Sequence, residues 1–148
     1  MKLVICRHGK PAERVEKMEL TAEAEVGLQK LARRLSEIVQ GASEVRLYTS
    51  PAARCVVTAG FYCRELGIEA QEEVPGMIEG DWVSKAMQRI DEAGPSDCLV
   101  FVTHEPMANT LAREVRFQRP VRGDFPRFDY GVAYVYDFDA RTCSKLEQ

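Results

Sequence analysis

Two histidines are all that this 148-residue sequence contains, and each follows directly on an apolar run. His8 comes after Leu3-Val4-Ile5-Cys6 and Arg7, and His104 comes after Cys98-Leu99-Val100-Phe101-Val102 and Thr103. A lone histidine is most often a surface residue or a satisfied core residue. Two of two at the carboxyl ends of strands point instead to one shared site, because ligands of open α/β sheets bind beyond those ends. Arg54 adds to this. It follows Ser50-Pro51 in the first turn of an expected helix, where free backbone N–H groups and the positive end of the dipole attract anions. Guanidinium groups from Arg7 and Arg54 at such a place make a local anion site. Arginine suits phosphate in particular, because its planar fork bonds two oxygens at once. Taken alone, Arg54 reads as an exposed helix residue; the two histidines give it meaning.

The elements that must hold these side chains follow from periodicity and turn residues. Residues 3–6 form a short apolar run rich in β-branched side chains, a buried strand that stops at Arg7-His8-Gly9. Residues 10–19 are polar, carry Pro11 and read as a loop. Thr21 is the expected N-cap of a helix with Glu23 and Glu25 in its first turns. Val26, Leu28, Leu31, Leu35, Ile38 and Val39 recur at helical spacing until Gly41. A second strand is expected over 45–48. The helix after it has Ser50 as cap and Pro51 at its first position, and it runs to about Leu66, where Gly67 closes it. Residues 72–80 look irregular, with Pro75, Gly76 and Gly80. A short amphipathic helix is expected over about 82–92, stopped by Gly94-Pro95. Residues 98–102 form the most apolar strand, and a helix after Pro106 runs to about Val115. Residues 117–129 are polar, basic and broken by prolines. Late strands are expected over 132–138 and 143–146. Strands alternating with helices predict an α/β fold: a three-layer sandwich whose mostly parallel central sheet carries helices on both faces.

The composition fits one domain over residues 1–148, long enough to bury a core without disulfides or a metal. Lys and Arg number 20 against 23 Asp and Glu, a net charge of −3, which argues against a general nucleic-acid or acidic-membrane binder. Any anion site must therefore rest on local positive charge. The five cysteines, Cys6, Cys55, Cys63, Cys98 and Cys143, are odd in number and form no C-x-x-C pair, so no zinc site is expected. They read as reduced thiols of a cytoplasmic protein. The charged N-terminus has no signal-peptide core, and no apolar run approaches membrane-spanning length.

Four stretches resemble the histidine phosphatase superfamily. Arg7-His8-Gly9 after an N-terminal strand looks like its defining motif. Residues Ser50-Pro51-Ala52-Ala53-Arg54-Cys55-Val56-Val57-Thr58-Ala59 are similar to its second signature. Thr103-His104-Glu105-Pro106 resembles the third, with the Glu-Pro ending typical of the phosphohistidine phosphatase branch. Gly131-Val132-Ala133 fits the entry to the last strand. Between the first two, Leu20-Thr21 followed by Leu31-Ala32 matches the intervening helix, although the usual glycine is Ala24 here. The chain departs from the phosphoglycerate mutase branch of this phosphoglycerate mutase-like fold: after Arg-His-Gly it continues Lys10-Pro11-Ala12-Glu13, and it has no room for that branch's larger insertions.

The resemblance implies a phosphatase with His8 as nucleophile and a phosphohistidine intermediate. Arg7, Arg54 and His104 would surround the phosphoryl group together with His8 and neutralise its spreading charge, so that no metal or other cofactor is required. His8 must be neutral to attack, a state that Arg7 and Arg54 would favour, and the Gly9 carbonyl or a nearby group would fix its tautomer. Glu79 is the candidate general acid, with Asp81 beside it; the plain alternative is an acidic loop ahead of a helix. Glu105 reads as orienting a loop or a substrate group. The minimal cap suits a phosphorylated protein or a small phosphorylated metabolite. Two alternatives stand beside a phosphohistidine phosphatase: a small-molecule phosphomonoesterase and a non-catalytic phosphate-binding adaptor. Arg116, Arg119, Arg122 and Arg127, around Phe117, Phe125 and Phe128, read as a solvated loop before a pocket rim. Tyr130, Tyr134 and Tyr136 read as strand packing, and Trp82 as a core anchor. The sequence leaves the oligomeric state open.

Overall fold

The computed structural model describes residues 1–12, 20–76 and 78–146. In chain order its elements are β1 (Lys2–Arg7), α1 (Ala22–Val39), β2 (Val45–Thr49), α2 (Ala53–Leu66), β3 (Glu72–Glu73), α3 (Glu79–Glu92), β4 (Cys98–Thr103), α4 (Met107–Gln118), β5 (Arg122–Gly123), β6 (Ala133–Asp137) and β7 (Thr142–Lys145). The strands make one seven-stranded sheet in the order β3-β2-β4-β1-β6-β7-β5. The four strands from β3 to β1 are mutually parallel, and β6 reverses direction between β1 and β7.

Alternation along the strands divides the core into two. Val4 and Cys6 of β1, with Val100 and Val102 of β4, pack against α1 and α2 through Leu28, Leu31, Leu35, Ala59 and Tyr62. Leu3, Ile5, Leu99 and Phe101 face the other way, onto α3 and α4 through Trp82, Ile90, Leu111 and Val115. This is the expected three-layer α/β sandwich. Burial on both sheet faces explains why β4 reads as an unbroken apolar run: every one of its residues is buried. Trp82 is fully buried and meets Phe101 edge-on at 6.1 Å, and Tyr48 stacks on the same ring.

Several boundaries differ from those expected. Thr21 does cap α1, accepting the Ala24 N–H at 3.1 Å. Ser50 does not cap α2. Its own N–H still bonds the Val102 carbonyl of β4 at 2.9 Å, so the chain stays with the sheet two residues longer and the helix opens at Ala53. Ser50 Oγ accepts only a long 3.4 Å bond from the Ala52 N–H. Helix α3 begins at Glu79, ahead of the expected start near Trp82, with Glu79 and Asp81 in its first turn where the dipole favours acids. Glu72–Glu73 pairs with Tyr48 and Thr49 as a two-residue edge strand. Helix α4 continues to Gln118, and β5 forms within the polar, proline-broken stretch 117–129. Gly123 in β5 has φ +107 and lies so close to β7 that a Cβ would collide with the Cys143 carbonyl oxygen. Of the expected loop 10–19, residues 13–19, Glu13 among them, lie outside the described residues. Among the described residues no helix is long and apolar enough to cross a membrane.

Candidate active site

Because β2, β4 and β1 are adjacent and parallel, their carboxyl ends share one edge of the sheet. The histidines and Arg54 meet there. The β1–β4 register pairs Arg7 with Thr103, and the His8 N–H donates to the Thr103 carbonyl at 3.0 Å, so His8 and His104 leave neighbouring strands at the same level. Thr58 ties in the third element. Its fully buried hydroxyl donates to the Arg54 carbonyl at 2.9 Å and accepts the Gly9 N–H at 3.0 Å. The loop carrying His8 is thus bonded to the first turn of α2, which carries Arg54.

His8 is 2% exposed. Its Nδ1 lies 2.7 Å from the Gly9 carbonyl oxygen. A carbonyl only accepts, so Nδ1 carries the proton and Nε2 of the neutral ring keeps its lone pair. Burial pushes the imidazole down to about 4; the Gly9 carbonyl opposes this, and the charges of Arg54, Arg7 and His104 add to it. The arginines expected to keep His8 neutral do act in that direction, but burial is the larger cause. The next turn of chain is held in place by the segment ahead of β6: the Gly131 N–H donates to the His8 carbonyl at 2.9 Å, with Gly131 at φ +70, a conformation suited to glycine.

Arg7 is half-buried. Its Nη1 donates to the Phe128 carbonyl at 3.1 Å, its Nε is buried without a partner, and its Cζ lies 4.1 Å from the centre of the Tyr130 ring. Arg54, the second residue of α2, is exposed. His104 Nδ1 lies 3.1 Å from the Glu105 carbonyl, while its Nε2 is buried and unpartnered. Glu105 turns its carboxylate onto the first turn of α4, where Oε1 accepts the Asn109 N–H at 2.9 Å. Arg7, Arg54 and His104 thus lie within electrostatic reach of His8, and among the described residues the buried Arg7 Nε and His104 Nε2 have no hydrogen-bond partner. Such atoms are donors and acceptors in want of a ligand.

The two candidate carboxylates part ways. Asp81 is exposed and pairs with Lys85 at 3.0 Å. Glu79 accepts a short bond from the Thr110 hydroxyl of α4, near the helix end that follows His104. The basic cluster separates too. Helix α4 runs away from His104 for 12 residues, roughly 18 Å of rise. Arg116 and Arg119 sit near its far end, where Arg119 pairs with Asp91 and Arg116 lies over Phe125. Arg127 precedes Phe128, and its backbone N–H and carbonyl bond the Tyr134 hydroxyl. Tyr130 is the residue the sequence reading misplaced. It lies outside β6, is 47% exposed, and sets its ring on Arg7 and 5.5 Å from the His8 ring. Its even spacing with Tyr134 and Tyr136 imitates one strand face. Adjacent Gly131, which ends the strand pattern, was the signal against that.

Beside His8 a cavity of about 250 Å³ opens between Gly9, Thr21, Ala24, Leu28, Tyr130 and Gly131. Among the described residues no group of three or more His, Cys, Asp or Glu is placed to hold a metal ion. All five cysteines are buried free thiols.

A sequence model of the histidine phosphatase superfamily (branch 1) matches residues 3–106. No curated protein matches the chain by sequence. Solved structures share the fold. The protein histidine phosphatase SixA complexed with tungstate superposes with a TM-score of 0.69 at 17% identity, covering 98% of this chain and 94% of that one. A putative phosphohistidine phosphatase SixA from Nakamurella multipartitia gives 0.63 at 18% identity, over 97% and 92% of the two chains. A phosphoglycerate mutase from Plasmodium falciparum gives 0.62 at 16% identity, over 99% and 89%.

Proposed function

The chain belongs to the histidine phosphatase superfamily (branch 1), and from that premise we propose that it is a phosphohistidine phosphatase acting through a covalent intermediate on His8. One observation carries this: a buried, neutral imidazole with its proton fixed on Nδ1, set where Arg7, Arg54 and His104 converge. In the first step the Nε2 lone pair attacks phosphorus. The Nε2–P bond forms, the bond from phosphorus to the leaving group breaks, and that group departs with the bonding electron pair. Arg7 and Arg54 bind the equatorial oxygens, and His104 offers Nε2. Charge stabilisation of this kind is the main demand of phosphoryl transfer. In the second step water attacks phosphorus and gives up a proton to solvent; the P–O bond forms, the Nε2–P bond breaks with its electron pair returning to His8, and inorganic phosphate leaves. The positive charge of the two arginines fills the role a metal ion has elsewhere, so activity is independent of added metal.

Leaving-group chemistry favours phosphohistidine. A departing imidazole asks less of an acid than a departing alkoxide. Of the two candidate carboxylates, Asp81 pairs with Lys85 and Glu79 is bonded to Thr110 on another helix. SixA, whose fold this chain shares, is a protein histidine phosphatase. The substrate is thus a phosphorylated protein, met by one domain spanning residues 1–148. Net charge −3 argues against nucleic acid, and the buried free thiols fit a reducing, cytoplasmic setting. The second reading, a phosphomonoesterase for small metabolites, requires Glu79 as general acid. Hydrolysis of a phosphohistidine peptide and of an alkyl phosphate by the wild type and Glu79→Gln decides between them. Phosphohistidine turnover that is faster and indifferent to Glu79→Gln supports the first reading. Preference for the alkyl ester, lost in Glu79→Gln, supports the second. No turnover of either leaves a phosphate-binding adaptor.

A further inference from the structure

Tyr130 belongs to none of the four matched signatures, yet it covers the two residues on which the site depends. The Arg7 Cζ lies over its ring, 4.1 Å from the centre, and the ring tilts at 54° against the His8 imidazole. The segment bearing it is anchored on both sides. The Phe128 carbonyl accepts from Arg7 Nη1, and the Gly131 N–H donates to the His8 carbonyl. Phe128 itself is buried and packs edge-on against Tyr134 at 5.2 Å. A tyrosine nearly half exposed, above a histidine that is 2% exposed, is a wall between that histidine and solvent.

Stacking engages the face of a guanidinium and leaves its in-plane N–H donors unused. With Nη1 spent on the Phe128 carbonyl, the edge formed by Nε and Nη2 is the one left for two oxygens of an anion. Nε is indeed buried and without a partner. Without a ring to lie on, the long Arg7 side chain would gain rotamers and lose that alignment.

We propose that Tyr130 is a positioning residue, which fixes the Arg7 guanidinium with its Nε edge toward the phosphoryl group and keeps water off the His8 imidazole. The groups facing His8 are Arg7 from β1, Arg54 from α2, His104 after β4 and Tyr130 before β6. Tyr130 is the one of these four whose ring can be removed without taking away a cationic or imidazole group.

The test has a titration arm and a kinetic arm; the kinetic arm rests on the proposed phosphoryl transfer and the titration arm does not. The His8 imidazole is titrated by NMR in the full-length wild type, Tyr130→Phe and Tyr130→Ala, with His104 as the second histidine signal. Urea midpoints verify that each variant folds. In Tyr130→Ala the His8 midpoint rises from about 4 toward the ordinary 6.5, whereas Tyr130→Phe, which keeps the ring, titrates like the wild type. At neutral pH kcat/KM falls about tenfold in Tyr130→Ala, the scale of a partly desolvated cation–π contact, and stays within about twofold in Tyr130→Phe. An unmoved His8 midpoint in folded Tyr130→Ala overturns the proposal, as does a Tyr130→Phe variant as impaired as the alanine one. If the wild type turns over no phosphoryl donor but the midpoint moves as stated, the phosphatase reading fails and the role of Tyr130 stands.

Discussion

At the scale of single residues the site depends on keeping one imidazole uncharged in a field of positive groups, and that has a cost in acid. The folded chain holds His8 near 4, against 6.5 for a free imidazole. Between those values the unfolded chain binds a proton that the folded chain does not, so stability rises with pH. The contribution of His8 is fully present above about 6.5 and is lost as pH falls toward 4, amounting to about 3 kcal/mol across the window. Urea unfolding of wild type and His8→Asn from pH 7 to pH 4 checks this: the wild type loses stability over that range, and the difference between the two curves narrows or reverses in acid. A constant difference would mean that His8 titrates alike in both states. On the proposed mechanism the same depression keeps His8 available for attack well into mildly acidic solution, so an acid limb of kcat/KM above pH 6 would belong to another group.

At the scale of elements, the bond linking β1 to α2 is the part most exposed to a single change. Thr58 is fully buried, and its hydroxyl serves both Gly9 and Arg54. Thr58→Val keeps the shape and leaves the Gly9 N–H buried without a partner, a cost of about 1–3 kcal/mol. Turnover falls with it because His8 loses its register with Arg54, and Thr58→Ser restores both. Chemical denaturation and steady-state kinetics on the three proteins measure the two effects together. Much of this level was legible in the sequence. The runs ending at His8 and His104, the Thr21 cap and Gly67, at φ +69 after α2, all act through local residue type. What was not legible depended on distant partners. Ser50-Pro51 carries every local mark of a helix start, but the Ser50 N–H is claimed by Val102. Glu72 and Glu73 have no strand propensity and pair only because β2 presents a free edge. Tyr130 has the right spacing for strand packing and is drawn from it by the Arg7 guanidinium.

At the scale of the molecule, the sheet separates stability from chemistry. Helices α1 and α2 share their core with the strand faces bearing Val4, Cys6 and Val102, while α3 and α4 close the opposite face around Trp82 and Phe101. Trp82→Ala would open a cavity in that second core at about 3–5 kcal/mol. His8, Arg54 and Thr58 do not touch it, so the variant unfolds at lower urea yet still takes up phosphate on His8 while folded. Loss of uptake under conditions where its near-UV spectrum is native would show that the two faces are not independent. The edge common to the ends of β2, β4 and β1 brings together the four residues of the proposed site, scattered over nearly a hundred positions of sequence.

The most direct test of that site is the mass of the intact protein after mixing with a phosphoryl donor in EDTA and quenching in alkali, where phosphohistidine survives. The account predicts one phosphoryl group on the wild type, none on His8→Ala, and continued turnover of the donor by the wild type alone. An adduct that persists in His8→Ala, or turnover that stops in EDTA and returns with added metal, would contradict it.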